Sequence, residues 1–115
     1  MNASLMLEKS IRKAIRKGRA AAAKIKNAGE LRTDIVEILV GKSYTIERKA
    51  QWVDESIRKA VIEEGMADFF RTTYGYGISF HAKSDKNPSK AAVDAATRSL
   101  LQDGIEARAR YLDEE

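Results

Sequence analysis

Cationic side chains are concentrated at the start of the chain. Residues 1–26 contain one acid, Glu8, and eight basic residues: Lys9, Arg12, Lys13, Arg16, Lys17, Arg19, Lys24 and Lys26. Acids outnumber bases in the remainder, although the whole 115-residue chain carries a formal net charge of +4. Ammonium and guanidinium groups at this density are typical of surfaces that contact phosphates. We therefore expect these eight residues to bind a polyanion, nucleic acid first of all.

A helix must position these cations. Apolar residues recur at three- and four-residue steps from about Ser4 to Lys26, and the basic residues occupy roughly the opposite half of the helix. Same-sign pairs four residues apart, such as Lys9 and Lys13, destabilise a helix, whereas an ordinary solvated face intersperses both signs. The pattern thus favours an anionic ligand. An acidic protein surface and simple solvation remain the alternatives.

A second candidate is the aromatic and glycine-rich stretch from Tyr74 to His81. Tyr76 could stack on unpaired bases, with Lys83 and Lys86 close by to contact phosphates. Gly75–Phe80 faintly echoes the aromatic strand motif of RNA-recognition domains, but Tyr74 stands where that motif has a basic residue and one aromatic is missing. The chain is therefore not assigned to that family. The more common role of such a stretch is a glycine-hinged loop whose aromatics close the core.

The side chains that enzymes use for catalysis are few. The chain has no cysteine and one histidine, His81, which Asp85 could orient as a general base. Glu63, Glu64 and Asp68 could gather around a divalent cation, although such carboxylates more often form a solvated surface. Neither a Walker-type phosphate loop nor a dinucleotide fingerprint is present in the sequence. We expect no enzymatic activity, no metal and no cofactor.

The composition predicts an all-α fold, or nearly so. Helix-forming residues dominate and Pro88 is the only proline, which predicts four or five helices in one domain over 1–115 and at most a short strand near residues 77–82. The predicted helices cover about 4–26, 31–40, 45–64, 66–74 and 88–112. The 31–40 segment is also β-branched enough for a buried strand, although its spacing favours a helix in which Asp34 and Glu37 resemble a capping box.

The expected function follows from charge and location. No apolar run reaches the length of a transmembrane helix, and the N-terminal order of apolar then charged residues is the reverse of a signal peptide. We expect a cytoplasmic, nucleic-acid-binding accessory protein of low sequence specificity, because phosphate contacts carry no sequence information. The alternative is a non-enzymatic protein-interaction or regulatory module whose basic helix docks on an acidic surface. A homo-oligomer is compatible with either function, and membrane binding is not expected.

Overall fold

The computed structural model describes residues 3–24, 34–39, 50–65, 67–72, 74–80 and 89–111. The elements, in chain order, are α1 (Ala3–Ala23), β1 (Asp34–Leu39), α2 (Ala50–Glu64), β2 (Ala67–Arg71), β3 (Gly75–Phe80), α3 (Ser89–Gln102) and β4 (Ala107–Tyr111). The all-α prediction is therefore wrong. The described residues form an α+β fold with three helices and a four-stranded antiparallel sheet.

The sheet has the strand order β2-β3-β1-β4. The central strand β1 pairs antiparallel with both β3 and β4, while β2 lies at one edge beside β3. From β1 onward the elements follow the order β-α-β-β-α-β, and this order with this sheet is the split β-α-β arrangement. Helix α1 is an addition before it.

Alternate residues of each strand face the helices. Val36 lies opposite Ile78 and Ala109 in the sheet register, and the hydrophobic core includes residues from every described helix and strand. Helix α1 packs against both α2 and α3, and its Ile11 and Ile15 are almost completely buried. The basic helix is therefore held in place by its apolar side, as its amphipathic pattern predicts.

Gly18 lets α1 approach α3 closely. A Cβ at this position would lie 2.9 Å from the carbonyl oxygen of Ala92 and 2.7 Å from the ring of Phe80. The carbonyl belongs to the α3 backbone and cannot easily move. Gly18 is therefore part of the surface through which α1 packs against α3.

The segment predicted as a helix over 31–40 contains β1 instead. Ile35 and Val36 are both buried although they point to opposite faces of the sheet. A strand buried on both faces reads as a continuous apolar run, which periodicity alone cannot distinguish from a short buried helix. Glu37 is not a capping residue, because it lies in the middle of β1 and is fully buried.

The short helix predicted over 66–74 is also wrong, because this region holds β2. Gly65 has a φ of 67°, a left-handed conformation that ends α2. The residues that follow are rich in aromatic and β-branched types, which favour strands. β2 then pairs with β3, the strand that the sequence allowed near residues 77–82.

The last predicted helix is too long. α3 ends at Gln102, Gly104 follows with a φ of 79°, and the chain then enters β4. Alanine favoured the helical prediction. Yet Ala107-Arg108-Ala109-Arg110 alternates small and charged residues with the two-residue period of a strand. The helices predicted near 4–26 and 45–64 correspond to α1 and α2.

Within the ranges that the structure describes, every helix is too short or too polar to span a bilayer.

Candidate functional site

Three arginines of α1 converge on one carboxylate at the end of α2. Glu64 Oε1 lies 3.2 Å from Arg12 Nε and 2.7 Å from Arg16 Nε, and Glu64 Oε2 lies 2.7 Å from Arg19 Nη2. The Glu64 side chain is only 6% exposed. Arg12 Nη1 also lies 3.0 Å from Glu63 Oε2. These arginines therefore attach α1 to α2.

Arg19 additionally closes the end of α2. Its Nη1 donates a hydrogen bond of 2.7 Å to the main-chain carbonyl of Glu64, in the last turn of the helix, where carbonyl groups lack helical donors. Burial alone would raise the pKa of Glu64. The hydrogen bonds and positive charges of Arg12, Arg16 and Arg19 outweigh that effect and hold this pKa below its ordinary value. Glu64 is therefore ionised at neutral pH.

The opposite flank of α1 lies beside the end of α3. Lys13 Nζ lies 2.8 Å from Asp103 Oδ1. The hydrogen bonds from Lys13 and from the Ser10 hydroxyl, together with the charges of Lys13 and Lys17, hold the pKa of Asp103 below its ordinary value despite a small opposing effect of burial. This ion pair joins exposed side chains, so it adds little to stability.

The remaining cations of α1 face outward. Lys9, Lys17 and Lys24 are exposed, and none has an ion-pair partner within 4 Å in the part of the chain that the structure describes. With 3.6 residues per turn, these three and Lys13 fall within an arc of about 80°. Arg12 and Arg19 lie on the α2 side of that arc. We call the exposed side chains of Lys9, Lys13, Lys17 and Lys24 the lysine face.

The sequence-predicted cations therefore divide by residue type. The arginines bind the buried carboxylate of α2, whereas the lysines remain in solvent. Six cations on α1 and Lys24 directly after it are described, and the acids that pair with them or lie beside them are Glu8, Glu63, Glu64 and Asp103. Positive charge remains in excess along α1, and it lies on the lysine face.

The other predicted site residues lie apart from α1 or outside the described residues. Tyr76 is 3% exposed and faces the helices, where its ring stacks on Phe69 with 5.7 Å between ring centroids. Burial raises the pKa of Tyr76, and the charge of Asp54 adds to the increase, while Arg71 opposes it. Lys26, Lys83 and Lys86, together with His81 and Asp85, lie outside the described residues.

The three carboxylates that could have bound a divalent cation according to the sequence do not converge. Glu63 and Glu64 pair with the arginines of α1, while Asp68 lies on β2 beyond the end of α2. Across the described ranges, no group of three or more histidine or carboxylate side chains is arranged to hold a metal ion.

Sequence reasoning missed a charged cluster on the sheet face that points away from the helices. Glu37 is fully buried, and its Oε1 accepts a hydrogen bond of 2.6 Å from Arg108 Nε. Arg110 Nη1 lies 3.6 Å from Glu37 Oε2. Burial would raise the pKa of Glu37, but the Thr72 hydroxyl and the two guanidinium groups outweigh it and lower this pKa. The Glu37–Arg108 pairing depends on strand register, and an acid-to-base spacing of 71 residues gives no signal in the sequence.

Fold and charge together define a split β-α-β domain that carries an additional, outward-facing lysine helix. No protein family, curated protein or solved structure matches the chain.

Proposed function

We propose that the protein binds nucleic acid non-enzymatically, through contacts between the lysine face of α1 and backbone phosphates. The observation that carries this proposal is the separation of roles along α1. The arginines are held by Glu64, while Lys9, Lys17 and Lys24 extend into solvent from a helix fixed by its buried side.

The chemistry of lysine supports a phosphate contact of low sequence specificity. A lysine ammonium is a compact point charge on a flexible stem, whereas planar, two-point recognition of bases or phosphates is the usual role of arginine. Phosphate contacts position a protein on nucleic acid but carry no sequence information. The protein would therefore act as an accessory factor, and we place it in the cytoplasm, where nucleic acid is accessible.

The test replaces Lys9, Lys17 and Lys24 and leaves the arginines that attach α1 to α2 unchanged. The triple variant Lys9→Gln/Lys17→Gln/Lys24→Gln is compared with a control of equal net charge, Arg58→Gln/Lys90→Gln/Arg98→Gln, which changes exposed cations outside α1. Affinity for labelled duplex DNA is measured by fluorescence anisotropy over a range of salt concentrations. Each lost phosphate contact should reduce the slope of log affinity against log salt by about 0.9.

We expect the α1 variant to lower that slope by roughly 2 to 3 while the control keeps the wild-type slope. Equal slopes for the two triple variants would contradict the proposal, because affinity would then depend on total charge and not on the lysine face. Circular dichroism of both variants checks that the fold is retained.

A further inference from the structure

The sheet face opposite the helices carries exposed aromatic rings beside arginines. We call it the outer sheet face, and define it by Phe70 on β2, Arg108 and Arg110 on β4, and Tyr74 in the β2–β3 turn, which surround the buried Ile35 and Glu37 of β1. Tyr74 is 59% exposed and Phe70 is 39% exposed. Large aromatic side chains that remain this exposed beside cations are enriched where proteins contact partners.

Each of the two rings is held in a defined place. Arg108 Cζ lies 5.5 Å from the centroid of the Tyr74 ring. The Phe70 ring lies across Gly77 of the neighbouring strand, since a Cβ on Gly77 would be 2.7 Å from two of its ring atoms. A glycine at this position leaves room for a ring to lie flat on the sheet.

Arg108 is itself held by the buried carboxylate. Its Nε is 2.6 Å from Glu37 Oε1, and its side chain remains 47% exposed. Glu37 Oε2 has no hydrogen-bond partner among the described residues, although Arg110 lies 3.6 Å away. A buried carboxylate, even when paired with cations, destabilises a fold compared with an apolar residue of similar size. Its effect here is to fix Arg108 against Tyr74, so that guanidinium and ring form a preorganised pair.

From this arrangement we infer that the outer sheet face binds unpaired nucleobases of a single strand, which stack on Tyr74 and Phe70 while Arg108 contacts the same strand beside Tyr74. The inference deepens the proposed function and rests on it. Every base has a flat face that can stack on an aromatic ring, so this contact needs no particular sequence.

The charge of this region favours stacking over phosphate contact. Asp68 lies on the same face as Phe70, and the exposed Glu106 directly precedes β4, so acids offset much of the charge of Arg108 and Arg110. Removing a ring should therefore weaken single-strand binding by the same factor at every salt concentration. Removing lysines of α1 should instead change the salt dependence.

The experiment uses Tyr74→Ala, Phe70→Ala and Tyr74→Phe, with Leu101→Ala as a control at an exposed apolar position of α3. The probes are labelled single-stranded DNA and RNA of about 15 nucleotides and a duplex of the same length. We expect either alanine variant to weaken single-strand binding by roughly five- to 150-fold, and Tyr74→Phe and the control to bind as the wild type does. Duplex affinity should not change in any of these variants.

Unchanged single-strand affinity in both alanine variants would overturn this inference. If the alanine variants bind as the wild type does, but the α1 lysine variant has a smaller slope of log affinity against log salt, the proposed function still holds. If the wild-type protein binds none of the probes, both proposals are wrong, and the outer sheet face would then suit a protein partner. In a titration of the isotope-labelled protein, Tyr74 ring resonances that shift with the single strand and not with the duplex support the inference directly.

Discussion

Neutralising Glu64 should loosen the attachment of α1. In Glu64→Gln the side chain keeps its shape and loses its charge, so three arginine side chains lose their shared anionic partner. Removing one partner of a fully buried ion pair costs about 3–5 kcal/mol. Here Arg12, Arg16 and Arg19 are 35%, 59% and 36% exposed, so water can solvate them in part. We therefore expect the free energy of unfolding to fall by about 2–3 kcal/mol.

The matched control is Glu63→Gln. Glu63 is adjacent in sequence, its side chain is 39% exposed, and among the described residues it pairs with Arg12 alone. Exposed pairs contribute about 0–1 kcal/mol, so this variant should remain close to wild type. Urea unfolding at pH 7, followed by circular dichroism, measures the free energy of unfolding of both variants. In thermal unfolding, Glu64→Gln should lower Tm by about 10 °C. Equal stabilities of the two variants would refute the role of Glu64 as the attachment point.

The pH dependence has a definite sign. Because the pKa of Glu64 in the folded protein lies below its ordinary value of 4.5, the stabilisation is fully present above that value. It is lost as the pH falls below 4.5 and then through the lowered pKa of the folded state. The difference in stability between wild type and Glu64→Gln should therefore be largest near neutral pH and should shrink in acid. A difference that stayed constant down to about pH 3 would contradict this assignment.

Substitutions at three further positions test other parts of the structure. Glu37→Gln should lower the free energy of unfolding by about 2–4 kcal/mol, because Arg108 loses a buried partner, and urea unfolding measures this change. Gly18→Ala should lower Tm despite the better helix propensity of alanine, since the new Cβ meets the Ala92 carbonyl; a higher Tm would argue against the close packing of α1 on α3. Gly104→Ala should cost about 1 kcal/mol in denaturant unfolding because φ is 79° there, and Gly104→Asn should cost less.

The basic helix and its buried stripe could be predicted from the sequence, whereas the sheet could not. α1 and α2 have long apolar stripes at helical spacing, and such patterns have one structural interpretation. β1 is buried on both faces and lacks alternation, so its apolar run fitted a helix equally well. In β4 the two-residue period was present, but the alanines that carry it are also strong helix formers.

The division between arginines and lysines on α1 depends on tertiary structure. Glu64 lies 45 residues from Arg19 along the chain, and only the packing of α1 on α2 brings them together. Nothing in the sequence alone distinguishes the roles of the eight N-terminal cations. Charge reversal at Arg12 or Arg16 would disturb the attachment of α1 to α2, so the lysines are the proper targets of a binding test.

Tyr76 shows how strand register decides which aromatic side chains are accessible. Tyr76, two residues after Tyr74, was the residue that the sequence predicted to stack on bases. Tyr76 lies opposite Ile38 and faces the helices, whereas Tyr74 lies in the turn and contacts Arg108 on the other side of the sheet. A strand pattern in sequence gives the alternation but not which set of residues faces the core.

The most direct test of the account is the affinity of the wild-type protein for labelled DNA and RNA at about 50 and 200 mM salt. With at least Lys9, Lys17 and Lys24 contacting phosphates, duplex affinity should fall by roughly 40-fold or more between these concentrations. Binding with that loss would support a phosphate-contacting lysine face. Absence of binding at the lower salt concentration, or binding that does not change with salt, would contradict it.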